Sequence, residues 1–505
     1  MMKSIIYNIK VCVVVVALAI SATSCLEKYP DSALQTEKSM KTFDDAEQIV
    51  TGIYALLKSS ALFSGYSTLA PDIQTDLVYA VKGYTNQYGD IWMWKIRSTT
   101  AEVESVYAGF YNIISNCNFY LENIDEVRNA QYDDTKITML DFYTGEIYTI
   151  RALCYSELIK FFCVAYNPDT ATSDLGVVLR KYYSQQEEAK RASLYDSYQF
   201  VLSDLAKAEE ILDSENDQYS GAYAIRAMAE ALHARVALYM QDWDTAIEYS
   251  TRLIENEAFA LSSAVTQYGS TGQTYYQYMW NYDLATEIIW QVYFTPTSYG
   301  GALGSVFLHF TSDYYYFYPD YVPAQWVLNL YASNDGRYDA YFYNTTTGYD
   351  HGLTWPLLVK YHGNGDFISQ KIYHVTMPKP FRLAEQYLIR AEAYCRQETP
   401  NFSKASADIV TLRNARYASG SSVNLTKDNY IQQLSDERVR ELIMEGHRLQ
   451  DLKRWNLGFE RTPQASTITS GSSLKIEAGD YRFVWPIPRH EIEAPGSKVQ
   501  QNAGY

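Results

Sequence analysis

The sequence predicts a mostly α-helical protein whose helices form pairs, interrupted by a long, loop-rich insertion. Two observations predict this class. Apolar residues recur at helical spacing over long stretches of both the N-terminal and the C-terminal part of the chain. Between residues 258 and 379 this spacing is lost, and the segment is rich in tyrosine, glycine and short β-like runs such as residues 287–294. Long irregular segments on a rigid scaffold are places where binding residues concentrate.

Helix signals begin at residue 42. Thr42 and Asp45 have the spacing of a capping box, in which each side chain accepts a hydrogen bond from the backbone N–H of the other residue. Apolar residues then follow at helical spacing: Ile49, Ile53, Leu56 and Leu57. Residues 60–100 have no sustained period, so we expect a loop with short strands there. Helical spacing resumes over residues 102–126 and 140–163.

Three stretches are typical of helix–turn–helix pairs. Residues 140–163 can pair with 196–212, residues 222–240 with 243–256, and residues 382–397 with 403–417. In the middle pair, small residues lie where two helices must approach closely: Ala231, Ala234 and Ala237. Trp243 and Ala246 occupy positions where a tetratricopeptide repeat has an aromatic and a small residue. The pattern favours a tetratricopeptide-like helix-pair scaffold, with ordinary helix hairpins as the alternative.

The composition excludes some functions and favours others. The chain has 505 residues, of which 47% are hydrophobic and 20% charged, enough for a sizeable core. Its net charge of −17 argues against nucleic-acid binding, because phosphate recognition depends on lysine and arginine. It contains 48 Tyr and 9 Trp against 19 Phe, and rings with a polar tip suit half-exposed recognition surfaces.

The N-terminus has the pattern of an export signal. Lys3 and Lys10 are positively charged, and the apolar segment 11–22 is too short to span a bilayer. Small residues then precede Cys25, as in a bacterial lipobox, although Ala22 stands where leucine is usual. We therefore expect a signal peptide over residues 1–24, lipid attached to Cys25, a tether over 25–41 and a single domain over 42–505, with insertions at about 60–100 and 258–380. The alternative is a secreted protein with a coincidental cysteine.

Motifs for chemistry are scarce. The sequence contains no GxSxG, phosphate-binding loop or dinucleotide fingerprint, and His490–Glu491 starts a zinc motif that fails at Ala494. We expect no metal and no cofactor. The remaining cysteines lack CxxC spacing, which favours buried free thiols: Cys117, Cys154, Cys163 and Cys395. A glycosidase with two carboxylates needs no linear motif, so it remains the alternative enzyme.

Charged residues in the C-terminal third recur three positions apart: Glu437 with Arg440, Arg438 with Glu441, and Glu445 with Arg448. Residues at this spacing are neighbours on a helix surface. We interpret them as ion pairs of a structural helix that fixes the repeats to the insertion. Carboxylates beside arginines have lowered pKa values, which does not suit a general acid.

The same third of the chain resembles the SusD/RagB family. The matching runs are RLAEQYLIRAEA at 382–393, ERVREL at 437–442, EGHR at 445–448, DLKRW at 451–455, WPIP at 485–488 and QNAGY at 501–505. Earlier matches are FDDA at 43–46, GIY at 52–54, and Asp335 with Arg337. The matches follow the family's order over nearly the whole chain.

The resemblance implies a non-enzymatic lipoprotein exposed on the outer-membrane surface. It would carry four tetratricopeptide-like helix pairs with an irregular insertion and act as a hinged lid over a SusC-type TonB-dependent transporter. It would capture an oligosaccharide and deliver it to that transporter. A peptide-binding member of the family is the alternative.

Sugars present flat C–H faces to aromatic rings and hydroxyls to amide, carboxylate and guanidinium groups. Two segments interleave rings with such groups, residues 84–94 and 275–316, and in the family these regions face the ligand. From them we predict these ligand-binding residues: Tyr84, Asn86, Tyr88, Trp92, Tyr276, Trp280, Tyr299, Tyr315 and Tyr316. Trp290, Trp326 and Trp455 lie within apolar runs and are predicted to belong to the core.

Overall fold

The computed structural model describes residues 40–82, 87–183, 188–213, 221–310, 315–348, 354–464, 467 and 471–505. Residues Thr42–Tyr505 form one compact unit. The predicted signal peptide and the predicted lipid site Cys25 lie outside the described residues. Within the described part, no helix combines the length and the apolar character needed to cross a membrane.

Helices dominate the described residues, as predicted. In chain order they are α1 Phe43–Leu57, α2 Tyr66–Ile73, α3 Gly89–Trp92, α4 Ala101–Asn129, α5 Asp134–Phe162, α6 Leu194–Ile211, α7 Arg226–Met240, α8 Trp243–Glu255, α9 Tyr275–Tyr282, α10 Ser305–Leu308, α11 Gln325–Leu328, α12 Arg337–Tyr341, α13 Gly365–Ile368, α14 Leu383–Arg396, α15 Phe402–Asn414, α16 Tyr430–Leu442, α17 Arg448–Trp455 and α18 Arg489–Glu493. Short 3₁₀ helices cover Ser472–Leu474 and Tyr481–Phe483.

The long helices pack as consecutive pairs. The scaffold pairs are α1 with α4, α5 with α6, α7 with α8, and α14 with α15, and α8 also packs on α14. Local signals set the turns: the predicted capping box of Thr42 and Asp45 is present, and Gln241 ends α7 in the left-handed conformation before Asp242 caps α8. The small residues of α7 are buried. The mostly α, tetratricopeptide-like fold class is confirmed.

Residues 60–100 differ from the expectation of loop and short strands, since they include α2. Nearly every residue of α2 is buried. A helix buried on all sides loses the one-sided apolar stripe by which helices are recognised in a sequence. Its polar residues are paired instead, because the Ser67 hydroxyl donates to Glu157 and Asp72 accepts from the backbone N–H groups of Gly446 and Arg448.

The strands are short and pair in twos. They are β1 Val78–Ala80, β2 Leu175–Val178, β3 Arg191–Ser193, β4 Ile288–Trp290, β5 Tyr321–Pro323, β6 Phe342–Thr346, β7 Thr354–Leu358, β8 Phe381–Arg382, β9 Phe459–Glu460 and β10 Lys475–Ile476. All five pairs are antiparallel: β1–β5, β2–β3, β4–β8, β6–β7 and β9–β10. The pairs β1–β5 and β4–β8 tie the insertion to distant parts of the chain.

The core contains most of the apolar residues predicted for it. Trp290 and Trp455 are buried, whereas Trp326 is half-buried and packs against the core. The four predicted free cysteines are buried and unpaired. Burial raises the pKa of the Cys117 thiol to about 12, so it is protonated at neutral pH.

Helix α16 is buried among ion pairs, as expected of a structural helix, but the partners differ from the predicted ones. Glu437 pairs with Arg440 at 2.7 Å as predicted. Arg438 pairs with Asp451 of α17 at 2.6 Å instead of Glu441. The predicted pair of Glu445 and Arg448 is also not formed, because Arg448 pairs with Asp76 at 3.0 Å and Glu445 accepts from Lys360 at 2.6 Å. The second half of α16 is buried, so its charged side chains pair with buried partners from other elements.

Candidate functional site

Helix α9 is central to the candidate site because its two faces have different roles. Thr274 and Gln277 form a capping box that starts the helix. Tyr276, Met279 and Trp280 point into the core, at the spacing of one helical face. The other residues of α9 are tyrosines and amides, and their side chains are not buried in the core.

Three tyrosine rings form a stacked series beside this helix: Tyr268, which precedes α9, and Tyr278 and Tyr282, which belong to it. We call this series the tyrosine ladder. The ring centroids of Tyr268 and Tyr278 are 4.0 Å apart with planes at 26°, and those of Tyr278 and Tyr282 are 4.5 Å apart at 20°. All three rings are half-buried, so each has one exposed part and one supported part. Tyr275, exposed, contacts the Tyr268 ring edge-on at 5.1 Å.

A groove of about 430 Å³ begins at Tyr282 and carries several amides. We call it the amide groove; its polar lining is Gln273, Gln277, Asn281, Asp339 and His362, and its rings are Tyr282, Phe317, Phe342 and Tyr343. The Asn281 side chain donates to Gln273 at 3.1 Å. The lining therefore combines ring faces with donors and acceptors held in fixed positions.

A second cavity of about 450 Å³ adjoins the other end of the ladder. It is lined by Tyr268, Tyr275 and Tyr278 together with serine, threonine and leucine side chains of residues 261–266 and 284–286. The ladder thus runs from one cavity to the other. Such an elongated arrangement suits an extended ligand better than a compact one.

Loops from distant parts of the chain meet beside the amide groove. Strand β1 pairs with β5, Val81 bridges to Thr467, and Phe317 bridges to Thr347. The Tyr321 hydroxyl also donates to the carbonyl of Gln87 at 2.5 Å. The regions expected to face the ligand, the loop after β1 and the central insertion, are therefore neighbours.

Three of the predicted ligand-binding residues lie in the core, and those predictions are wrong for this structure. Trp92, Tyr276 and Trp280 are at most 1% exposed. The indole of Trp92 donates to the carbonyl of Val78 at 3.1 Å, and the guanidinium of Arg461 covers its ring at 4.1 Å. Such rings cannot stack on a ligand without unfolding their surroundings.

Tyr276 and Trp280 are enclosed by buried charges beneath α9. The Tyr276 hydroxyl donates to Glu441 at 2.9 Å. Lys360 and Lys379 lie 4.2 and 4.8 Å from the Trp280 ring centroid. Cations over an aromatic face are stabilised by the ring's electron density. These two rings therefore anchor α9 instead of touching a ligand.

Other predicted residues lie at the surface. Tyr299 is exposed, and Tyr315 and Tyr316 are 75% and 38% exposed with ring centroids 4.7 Å apart. Tyr88 is half-buried against Tyr66 at 5.2 Å. Tyr84 and Asn86 lie outside the described residues. For these six residues a role in binding stays a prediction.

The tyrosine ladder and the amides beside it are not among the residues predicted from the sequence to bind a ligand. A usable signal was present: in the run Tyr275–Tyr282, the core-compatible residues Tyr276, Met279 and Trp280 share one helical face. If the run is helical, Tyr278 and Tyr282 must face the other way.

A network of buried arginines and carboxylates supports the site from below. Glu441 accepts from Arg337, Arg382 and Arg416 at 3.1, 3.0 and 2.9 Å. Burial alone would raise the pKa of the Glu441 carboxyl, but Arg416 and Arg382 outweigh it and lower the pKa well below its usual range. In the same way Arg337, Arg440 and Arg413 lower the pKa of Glu437 to about 2. These carboxylates stay ionised and bound, as a structural role requires.

Comparisons with known proteins agree with this architecture. A family model described as "SusD family" matches residues 338–505, and one described as "Starch-binding associating with outer membrane" matches residues 25–238. SusD-like protein P2 of Formosa agariphila is 24% identical over 98% of this chain and 99% of its own length. Starch-binding protein SusD of Bacteroides thetaiotaomicron is 31% identical over 32% of this chain and 27% of its own.

Solved structures show the same fold. A SusD superfamily protein from Bacteroides thetaiotaomicron has a TM-score of 0.77 at 23% identity, covering 91% of this chain and 99% of that one. Surface glycan-binding protein A from Bacteroides fluxus has a TM-score of 0.68 at 18% identity, covering 92% and 100%. The class is thus that of helical-repeat proteins with an inserted, ring-rich face. The chain belongs to the SusD/RagB family.

Proposed function

We propose that this protein binds an oligosaccharide at the outer-membrane surface and delivers it to a SusC-type TonB-dependent transporter. The observation that carries the proposal is the tyrosine ladder next to the amide groove. The half-exposed edges of the stacked rings offer apolar contact to the C–H groups of sugar residues, and the neighbouring amides match their hydroxyls. Relatives described as starch-binding or glycan-binding support the same ligand class.

Binding without hydrolysis fits the chemistry of the lining. Gln273, Gln277 and Asn281 can hold hydroxyls by hydrogen bonds, and a carboxamide has no ionisable group that could act as a general acid or base at neutral pH. A glycosidase instead places two carboxyl groups across the scissile bond, one of them able to donate a proton. The ionised carboxylates of α16 are buried under α9 and are occupied by arginines.

The proposed ligand is an extended chain. The ladder spans from one cavity to the other, so successive sugar residues can contact successive rings. Stacked rings lose little conformational freedom on binding, because neighbouring rings already hold them. We expect modest affinity for each sugar residue, which suits a protein that must release its cargo to a transporter.

Calorimetric titration of an oligosaccharide and oligopeptide panel tests the ligand class. The protein would lack residues 1–25, which lie outside the compact unit Thr42–Tyr505. We expect saturable binding of at least one oligosaccharide and no binding of peptides. Peptide binding alone would favour the peptide-binding alternative, and release of shorter sugars during long incubation would favour the glycosidase.

Variants of the ladder test the place of binding. Tyr278→Ala removes the central ring and should weaken oligosaccharide binding by about five- to tenfold, the usual effect of losing an aromatic contact residue. Tyr132→Ala is the matched control, because Tyr132 is 98% exposed and lies in the turn between α4 and α5. Equal affinities of the two variants would contradict the proposed site.

The transport role has its own test. Membranes solubilised in mild detergent should yield this protein together with a TonB-dependent transporter when the protein is captured by an affinity tag. Recovery of the protein without such a transporter would favour an adhesin. The proposed outer-membrane location with a lipid on Cys25 follows the family description and the lipobox, and labelling of cells with a membrane-impermeant reagent tests it.

A further inference from the structure

The insertion that carries the tyrosine ladder is poor in basic residues. Residues 253–336 contain no lysine and no arginine, whereas the whole chain has 42 in 505 residues, about one in twelve. The next two basic residues along the chain, Arg337 and Lys360, are buried. Arg337 pairs with Asp335 at 2.7 Å, and Lys360 pairs with Glu445 at 2.6 Å. Neither cation is therefore available to a ligand at the surface.

The two cavities beside the ladder also lack positive charge. Among the described residues, no lysine or arginine lines either the amide groove or the second cavity. The exposed lysines of adjoining loops, Lys82 and Lys371, line neither of them. Desolvation lowers the pKa of His362 in the amide groove below its usual 6.5, so its imidazole is neutral at pH 7. Apart from Asp339, the described lining of both cavities is therefore uncharged.

Two exposed carboxylates lie near the groove end of the ladder. Asp339 belongs to α12 and Asp366 to α13, and both helices pack on α9. The Gln277 amide donates to the backbone carbonyl of Asp339 at 3.4 Å. Gly365 approaches Tyr282 so closely that an added Cβ would lie 2.6 Å from the ring, which brings the neighbouring Asp366 beside the ladder. Neither carboxylate forms a hydrogen bond or an ion pair with another described residue.

The negative charge of this region reaches the rings of the ladder. Desolvation raises the pKa of the Tyr278 hydroxyl, and the neighbouring tyrosines and Asp366 raise it further. At physiological salt, exposed charges interact over about 8 Å. A carboxylate on a bound sugar would therefore be repelled by Asp339 and Asp366, with no described cation in the lining to offset the repulsion. An ammonium group would be attracted by the same two residues.

We propose that this site selects glycans by charge, with Asp339 and Asp366 as the specificity-determining residues. It accepts neutral sugar chains and chains that contain amino sugars, and it excludes chains of acidic sugars. The net charge of −17 acts in the same direction, since it repels an anionic chain before contact. This inference rests on the proposed oligosaccharide binding and narrows its ligand class.

Calorimetric titration of the full chain in detergent solution with five hexasaccharides tests the selection. Three share a β-1,4-linked glucose backbone: neutral cellohexaose, its C6-carboxylate form, and chitohexaose, which carries ammonium groups at pH 6. The other two are maltohexaose and its C6-carboxylate form. We expect each carboxylated chain to bind at least about tenfold more weakly than its neutral counterpart, and chitohexaose to bind more tightly than cellohexaose at pH 6. High salt should narrow these differences, because it screens exposed charges.

The outcomes separate this inference from the proposed function. A carboxylated chain that binds as tightly as its neutral counterpart would overturn the charge selection and leave oligosaccharide binding intact. Refusal of all five hexasaccharides would also overturn it. The proposed function itself fails only if the whole oligosaccharide panel is refused.

A double variant, Asp339→Asn with Asp366→Asn, assigns the selection to the two carboxylates, because it removes both charges and nearly keeps the side-chain shape. The affinity ratio of carboxylated to neutral chains should rise by about tenfold, and the ratio of chitohexaose to cellohexaose should fall by a similar factor. Asp125→Asn is the matched control, since Asp125 is exposed on α4 and lines neither cavity. Tyr278→Ala should weaken neutral and charged chains alike. Wild-type ratios in the double variant would refute the role of Asp339 and Asp366.

Discussion

Replacement of Glu146 by glutamine should change how stability depends on pH. Glu146 of α5 is buried, and its Oε2 atom has no hydrogen-bond partner among the described residues. Burial raises its pKa from 4.5 to about 8, and a hydrogen bond from Tyr54 opposes this rise only in part. The folded protein therefore keeps this carboxyl protonated at neutral pH, while the unfolded chain ionises it above pH 4.5.

The sign and size of the effect follow from proton linkage. Below pH 4.5 both states hold the proton, and Glu146 costs no stability. Between pH 4.5 and about 8, only the unfolded chain releases it, so the free energy of unfolding falls by about 1.4 kcal/mol per pH unit. Above about pH 8 the loss levels off. Glu146→Gln removes this slope, so the stability of the variant relative to the wild type should rise by about 2 kcal/mol between pH 6 and pH 8.

Urea unfolding followed by circular dichroism at pH 5, 6, 7 and 8 measures this difference. The slope with pH is the readout, because the glutamine amide brings a burial cost of its own that is the same at every pH. Glu47→Gln is the control: Glu47 is exposed and its carboxylate accepts from Tyr143 at 3.0 Å. Parallel pH profiles of Glu146→Gln and the wild type would refute the burial argument.

Three further changes have distinct expected outcomes. Trp280→Ala should lower the free energy of unfolding by about 3–5 kcal/mol in urea titrations, as for other buried tryptophans. A variant as stable as the wild type would contradict the burial of Trp280. Burial would raise the pKa of Glu392, but Arg454 and other guanidinium groups lower it to about 2. The ionised carboxylate therefore stabilises the fold above pH 4.5, and this contribution is lost as the pH falls towards 2. Glu392→Gln should lower the free energy of unfolding by about 3 kcal/mol at pH 7 and by little at pH 2. Cys25→Ala should move the protein from the membrane fraction to the soluble fraction, and unchanged retention would contradict the lipid anchor.

The helical scaffold could be predicted because its long helices bury one face and expose the other. The predicted helix over residues 243–256 is observed as Trp243–Glu255. Helix α2 shows the limit of this reasoning: Ser67 and Asp72 look exposed by type, yet both are buried and hydrogen-bonded to distant residues. Partners far apart in the sequence leave no local signal.

The candidate site could be predicted as a region but not as a set of residues. The rings of the run Tyr275–Tyr282 predict a binding segment, but composition does not distinguish a ring that faces a ligand from one that faces the core. Tyr276 and Tyr278 are two residues apart, yet one donates to Glu441 in the core and the other stacks in the ladder. Only the helical conformation of α9 separates them, and that conformation depends on buried contacts with α12 and α13.

Charge burial beneath α9 explains how an irregular insertion can present rings in fixed positions. Taking ions out of water is costly, and a network such as that of Arg382, Arg416 and Glu441 is retained only where each ion is matched by several partners. Such matching fixes geometry, because a displaced helix would leave a buried charge unpaired. The Tyr276 hydroxyl donates directly to Glu441 of this network, and Tyr278 lies less than one helical turn from Tyr276. The network therefore fixes α9, and through α9 the ladder, so the rings need little reordering when a ligand binds.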